Sequence, residues 1–275
     1  RNSNTLSMFG GVNGNWSSVE GDTNGPGFDQ DTFGLNAGVD YAFSSETLVG
    51  LGGSYQSSEL EFESNNSGDV DTFAVGLFGT FGLGGGYLDA NANVGFHDVS
   101  MSRLTPAPDY ASAEYSATSW SVAGELGTVI PVGRAYVSPM LSLTYVGVSV
   151  DSFTETGSDF ALSVDGADTD SFATVLGARA GDYFKVGKAT VNLQGNLGWR
   201  HEFGDEESSF TAAFLEEPAL LFNVDSSKIA SDSATFGLGT TVSLSTRMEV
   251  FVNYDGVWNA EADSHNASLG VRSTW

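Results

Sequence analysis

The 275-residue chain contains no cysteine. That excludes disulfide staples and thiolate chemistry without identifying a compartment. Only 10 residues are Lys or Arg against 35 Asp or Glu, a formal net charge of −25. With no basic stripe to meet a phosphate backbone, nucleic acid is not an expected partner. No run of eighteen apolar residues occurs, which argues against a membrane-crossing helix. No signal peptide is legible at Arg1, so the reading allows a cytosolic protein or a fragment lacking its N-terminus. The three histidines, His97, His201 and His265, are scattered, and no nucleophile elbow, phosphate loop or metal-spaced cluster accompanies them. GLGGG at 82–86 reads as a turn, because no helix follows. No catalytic residue, metal site or cofactor is therefore expected.

What is abundant is alternation. Period-two patterning between Gly, Asn, Asp and Ser clusters predicts about twelve strands. They fall near 5–17, 31–43, 47–58, 70–82, 88–96, 116–130, 137–145, 170–183, 191–199 and 233–244, with two more in the last thirty residues. In the fifth, Leu88, Ala90, Ala92, Val94 and Phe96 alternate with Asp89, Asn91, Asn93 and His97. In the last, Ala267, Leu269, Val271 and Trp275 share a face opposite Asn266, Ser268, Gly270, Arg272 and Thr274. A soluble sandwich gives the same alternation strand by strand, and an acidic adhesin-like sandwich is one alternative.

The connections separate the readings. Five tight turns, near 44–46, 82–86, 131–134, 185–188 and 245–247, alternate with six longer segments. Those segments, 17–31, 57–71, 98–116, 149–171, 204–233 and 255–265, hold 28 of the 35 acidic residues. Short turns at one rim and long loops at the other are the habit of transmembrane barrels. An even strand count puts both termini at the short-turn rim. Glu125, Arg179, Arg200, Glu202, Asp255 and Arg272 sit on polar strand faces or beside them and are expected to form a lumenal polar network. A charge facing lipid at mid-membrane costs about 2–4 kcal/mol for Arg or Lys, so a lumen is the cheaper place for these. The 204–232 connection is unusually apolar, with Phe210, Phe214, Leu215, Leu220, Leu221 and Phe222; as a helix it would break at Pro218.

Taken in order, FGLNAGVDYAF, DVDTFAVGLFGTF, GYLDANANVGFHDVSMSR, AGELGTVIPVGRAYVSPMLSLTYVGVSVDSFTETG, LGARAGDYF and LGWRHEFGDEESSFTAAF resemble the β-domain of classical autotransporters, the type V secretion proteins. The end of the chain fits that family's YDG…SH…G-x-R close with an aromatic terminus. The ordered set spans nearly the whole length.

The resemblance implies an all-β fold: a twelve-stranded antiparallel transmembrane β-barrel of the Gram-negative outer membrane, one translocator domain over 1–275. It implies a non-enzymatic role in carrying an N-terminal passenger to the cell surface, with a porin-like barrel lacking a passenger as the alternative. Expected partners are outer-membrane lipid and lipopolysaccharide, the passenger and its linker helix, and the barrel assembly machinery, around a monomer. Long acidic loops would be extracellular and both termini periplasmic. Leu269, Val271 and Trp275 resemble the family's assembly signal. Phe210, Phe214, Leu221 and Phe222 lie in the loop corresponding to the passenger-exit hairpin.

Overall fold

The computed structural model describes residues 4–204, 208–228 and 230–275. Glycine-, Asn- and Ser-rich alternating segments have no helical period to exploit, and every regular element among the described residues is a strand. In chain order they are β1 (Thr5–Val19), β2 (Phe28–Ala42), β3 (Thr47–Phe62), β4 (Ser67–Gly82), β5 (Gly86–Leu104) and β6 (Tyr110–Thr128). There follow β7 (Ile130–Val132), β8 (Ala135–Val150), β9 (Phe153–Thr154), β10 (Leu162–Val164), β11 (Ala167–Val186) and β12 (Ala189–Glu202). Last come β13 (Ser209–Phe214), β14 (Leu221–Asp225), β15 (Asp232–Ser243), β16 (Met248–Trp258) and β17 (Ala262–Thr274).

The twelve long strands pair antiparallel in the order β1-β2-β3-β4-β5-β6-β8-β11-β12-β15-β16-β17. β17 then pairs β1 from Ser7–Thr274 to Val19–Ala262, closing the barrel. Leu6 and Trp275 exchange backbone hydrogen bonds of 3.2 and 3.0 Å at the end of that seam. Closure leaves the barrel no edge with unpaired backbone groups, which a bilayer would not tolerate.

Packing is inverted relative to a water-soluble protein. Large apolar side chains such as Leu35, Leu51, Phe73, Leu77, Leu141, Leu176 and Leu197 point outward and are exposed. An apolar belt of that extent is a lipid contact surface. Inside, Phe9 and Phe78 meet edge to face at 5.7 Å. A Cβ on Gly38 would strike the Phe9 ring, and one on Gly50 the Phe78 ring, so these glycines are notches for lumenal aromatics. The PVGR and KVGK turns hold Gly133 at φ 66° and Gly187 at φ 62°, the left-handed conformation that tight hairpins need.

Two sequence expectations are corrected here. The strands overrun the segments read as loops: β2 starts at Phe28, β3 reaches Phe62, and β5 extends to Leu104. Asp29, Asp31, Glu59, Glu61, Asp69, Asp71, Asp98 and Glu114 therefore sit on strands, not in loops. Glu59 stands opposite both Asp31 and Asp69, and Asp71 opposite Asp98. Directly opposed like charges are unfavourable in a sheet, and they erase the apolar alternation from which a strand is read. The second correction concerns 149–171 and 204–233. Parts of these connections form a separate four-stranded sheet, ordered β9-β10-β13-β14.

Candidate functional site in the barrel lumen

β5, β6, β8 and β11 bring one polar cluster together near the short turns. Glu125 on β6 pairs with Arg179 on β11 at 3.3 Å. The Tyr87 hydroxyl donates to the same carboxylate at 2.7 Å, and Ser142 donates at 3.2 Å. Ser138, nearly inaccessible to water, lies 3.3 Å from Tyr87. Asn196 on β12 and Asp255 on β16 approach each other across Gly237 of β15. A Cβ on Gly237 would meet both of those side chains, so the glycine makes room for the pair.

The remaining predicted charges form separate groups. Arg200 pairs with Glu202 on its own strand at 2.6 Å. Glu202 also accepts hydrogen bonds from Ser171 and from the backbone of Phe172 and Gly204, at 2.7–3.0 Å. It fastens the long-loop end of β12 to β11. Arg272 on β17 pairs with Asp40 on β2, passing over β1. The Asp40 side chain has no exposed surface. Beside it, Ser7 and Thr274 share a hydrogen bond of 2.9 Å across the seam. The six residues expected to make one network thus belong to distinct clusters, each holding different strands together.

At mid-height the lumen is lined by amides and hydroxyls that pair laterally. Asn93 donates to Asn91 at 2.9 Å and to Ser121 at 3.3 Å. Closer to the long-loop end, Thr32 bonds Ser58 at 2.8 Å, and His97 bridges Thr72 and Ser119, each at 2.8 Å. His201 and His265 lie elsewhere, 2.8 Å from Asp232 and from Tyr254 respectively. Among the described residues no cluster of His, Asp and Glu has the arrangement of a metal site.

Leu269 and Val271 face lipid, opposite Val252 and Val250 on β16. Trp275 is more than half exposed at the end of the seam. The four loop residues divide. Phe210 and Phe222 pack against Leu162, Val164 and Ala212 in a small core of their own. Phe214 and Leu221 are exposed toward the hairpin tip, with the Phe214 ring 5.5 Å from that of Phe222. Sequence reasoning missed Tyr87 as a partner of Glu125, and it missed the Arg103–Glu155 pair at 2.5 Å. It gave Arg272 no partner at Asp40. A lone carboxylate between Val39 and Tyr41 was the available signal.

The architecture is matched by known proteins. The family model described as autotransporter beta-domain covers residues 8–255. This chain belongs to the autotransporter β-domain family. An extracellular serine protease of Serratia marcescens is 24% identical over 265 residues, covering 95% of this chain and 25% of that protein. The chain thus spans about a quarter of that relative's length. Among solved structures, the translocator domain of autotransporter NalP from Neisseria meningitidis superposes with a TM-score of 0.80 at 15% identity, over 99% of this chain and 89% of that one. The β-domain of the Bordetella autotransporter BrkA gives 0.75 at 16% identity, over 98% and 99%. At these identities the two structures speak for the fold. The autotransporter β-domain here is a closed twelve-strand antiparallel barrel of the outer-membrane kind.

Proposed function

We propose that this barrel is the membrane-embedded translocator of a type V secretion protein, carrying a passenger to the cell surface and anchoring it there. The observation that carries the reading is a family match over most of a barrel whose mid-height lumen is polar and open. Lateral pairing among lumenal amides and hydroxyls leaves few strong contacts to offer a moving polypeptide. A surface whose donors are already satisfied gains little by binding one.

In this reading the long-loop rim faces outside the cell and the short-turn rim faces the periplasm. Lipopolysaccharide surrounds the outer half of the barrel, and a linker helix fills the lumen when the passenger is attached. Leu269, Val271 and Trp275 serve the assembly machinery as a recognition strand, and Phe214 and Leu221 contact the passenger as it emerges. Glu125, Arg179 and Asp255 hold the lumen wall in shape. The barrel itself performs no chemistry. The test is to fuse a reporter with a linker ahead of Thr5 and treat intact cells with protease. Digestion of the reporter from outside is the expected result. A reporter protected in intact cells, with the barrel correctly inserted, overturns the reading.

A further inference from the structure

Charge is sorted between the two rims. Among the described residues five Lys or Arg are exposed, and four of them, Arg134, Lys185, Lys188 and Arg247, belong to the short-turn rim. The fifth, Lys228, lies at the long-loop rim among the acids. The chain as a whole carries a formal net charge of −25, so its exposed positive charge is gathered at one end.

The four are also sorted around the circumference. Strands β6, β8, β11, β12, β15 and β16 are consecutive neighbours, and their three hairpins carry all of these cations. Arg134 lies between β7 and β8, Lys185 and Lys188 at the β11–β12 turn, and Arg247 between β15 and β16. The two hairpins on the other side of the closing seam carry none. There 43–46 reads FSSE and 83–85 reads LGG.

Each cationic hairpin has the same build. Beside the charge stand exposed apolar side chains: Ile130 and Val132, Phe184 and Val186, Leu244 and Met248. They continue the alternation of Leu141, Leu176, Leu238 and Val252, whose face meets lipid. Among the described residues at this end of the arc, Asp182 is the one outward carboxylate. It meets Arg134 at 2.8 Å and leaves that side chain 80% exposed. Glu249 is turned into the barrel, where it accepts a 3.0 Å hydrogen bond from Ser243. An apolar stem in hydrocarbon with its cation among the headgroups is how Lys and Arg settle at a bilayer surface. Anionic headgroups attract such cations. The acids of the long-loop rim oppose this little. At least 11 residues of strand separate the rims, each rising about 3.3 Å, and exposed charges more than about 8 Å apart are largely screened at physiological salt.

We propose that this arc of the short-turn rim is a binding surface for anionic phospholipid, its headgroups held by Arg134, Lys185, Lys188 and Arg247. The phosphate supplies the acceptor oxygens, and the acyl chains cover Val132, Val186 and Leu244. A soluble anion would leave those three side chains bare, which is why the occupant is a lipid. The surface is one-sided. A barrel in a mixed bilayer gathers anionic lipid beside three of its five tight hairpins, and the remaining sector gathers none.

Native mass spectrometry of the full chain in neutral detergent tests the surface, with phosphatidylglycerol and phosphatidylcholine supplied in equal amounts. The native barrel should retain phosphatidylglycerol several-fold over phosphatidylcholine. The triple variant Lys185→Gln/Lys188→Gln/Arg247→Gln should bring that ratio close to one. Two single variants compare equal changes of charge at opposite rims. Lys188→Gln should lower the ratio, and Lys228→Gln should leave it native. Heat-modifiable gel migration, the same in every variant, reports an intact barrel. Excess inorganic phosphate should not displace the retained lipid. Equal retention of the two lipids by the native barrel overturns the proposal. So does a native ratio in the folded triple variant, which would leave these cations to a soluble acidic partner. Equal losses in Lys188→Gln and Lys228→Gln would assign the preference to net charge and contradict a local surface. Displacement by inorganic phosphate would contradict the lipid as occupant.

Discussion

The two rims of the barrel are built by different physics. At the short-turn rim the chain reverses in a few residues, and polar pairs lock neighbouring strands. Arg272 reaches across β1 to a carboxylate with no exposed surface, and Glu125 is shared by Tyr87, Ser142 and Arg179. At the long-loop rim the strands overrun the membrane, their outer faces turn acidic, and their connections fold into a sheet with its own apolar core. Strength at the first rim is coupled to closure of the whole barrel. Strength at the second is local to that sheet and its small core.

The comparison breaks most sharply at Arg272. Replacing it with Ala breaks the buried Arg272–Asp40 pair at the closing seam. We expect a loss on the order of 3–5 kcal/mol, read as a lower urea midpoint of the whole barrel in lipid vesicles. An unchanged midpoint would show that the seam does not depend on this pair. At the other rim Leu162→Ala should cost about 2–4 kcal/mol of local stability through the cavity it leaves. Faster proteolysis of the 208–228 hairpin would register it, while the urea midpoint of the barrel stays native. Coupled loss of both would deny the independence of the sheet. Glu155→Gln removes a charge from a bidentate pair and should cost that sheet about 1.5–3 kcal/mol, again visible only in hairpin proteolysis.

The smallest effect concerns acid. Hydrogen bonds from Thr105 and Ser158 hold the Asp109 carboxyl below the usual carboxylate range. A depressed carboxyl contributes stability above its unfolded pKa and loses it as pH falls through the folded value. Protection of the 105–109 connection against proteolysis should therefore be full near neutrality and decline in the acid range, below the ordinary value of 3.8. Asp109→Asn should lessen that decline. An identical acid profile in the variant would assign it to other groups.

Much of the barrel was legible from residues alone. Alternation such as Leu88–Asp89–Ala90–Asn91 fixes which face meets lipid, and the tight turns at PVGR and KVGK fix neighbouring strands. The strand ends were not legible, because Asp29, Glu59 and Asp98 replace the apolar partner once the strand leaves the membrane. The sheet at the long-loop rim was hidden for a different reason. Val164 and Ala212 pair across nearly fifty residues of sequence, and neither short strand has enough residues to show a period. The same holds for Arg272 and Asp40, which barrel closure alone brings together. Side-chain parity told that the charges face inward; which charge meets which depends on register, and composition carries no register.

The measurement that tests the account most directly is the folding of the purified chain with and without detergent or lipid, followed by gel migration before and after boiling. A membrane barrel should fold only with detergent or lipid and should migrate differently once boiled. A chain that is monomeric and folded in plain buffer, with identical migration boiled or unboiled, would contradict the barrel and everything inferred from its lumen.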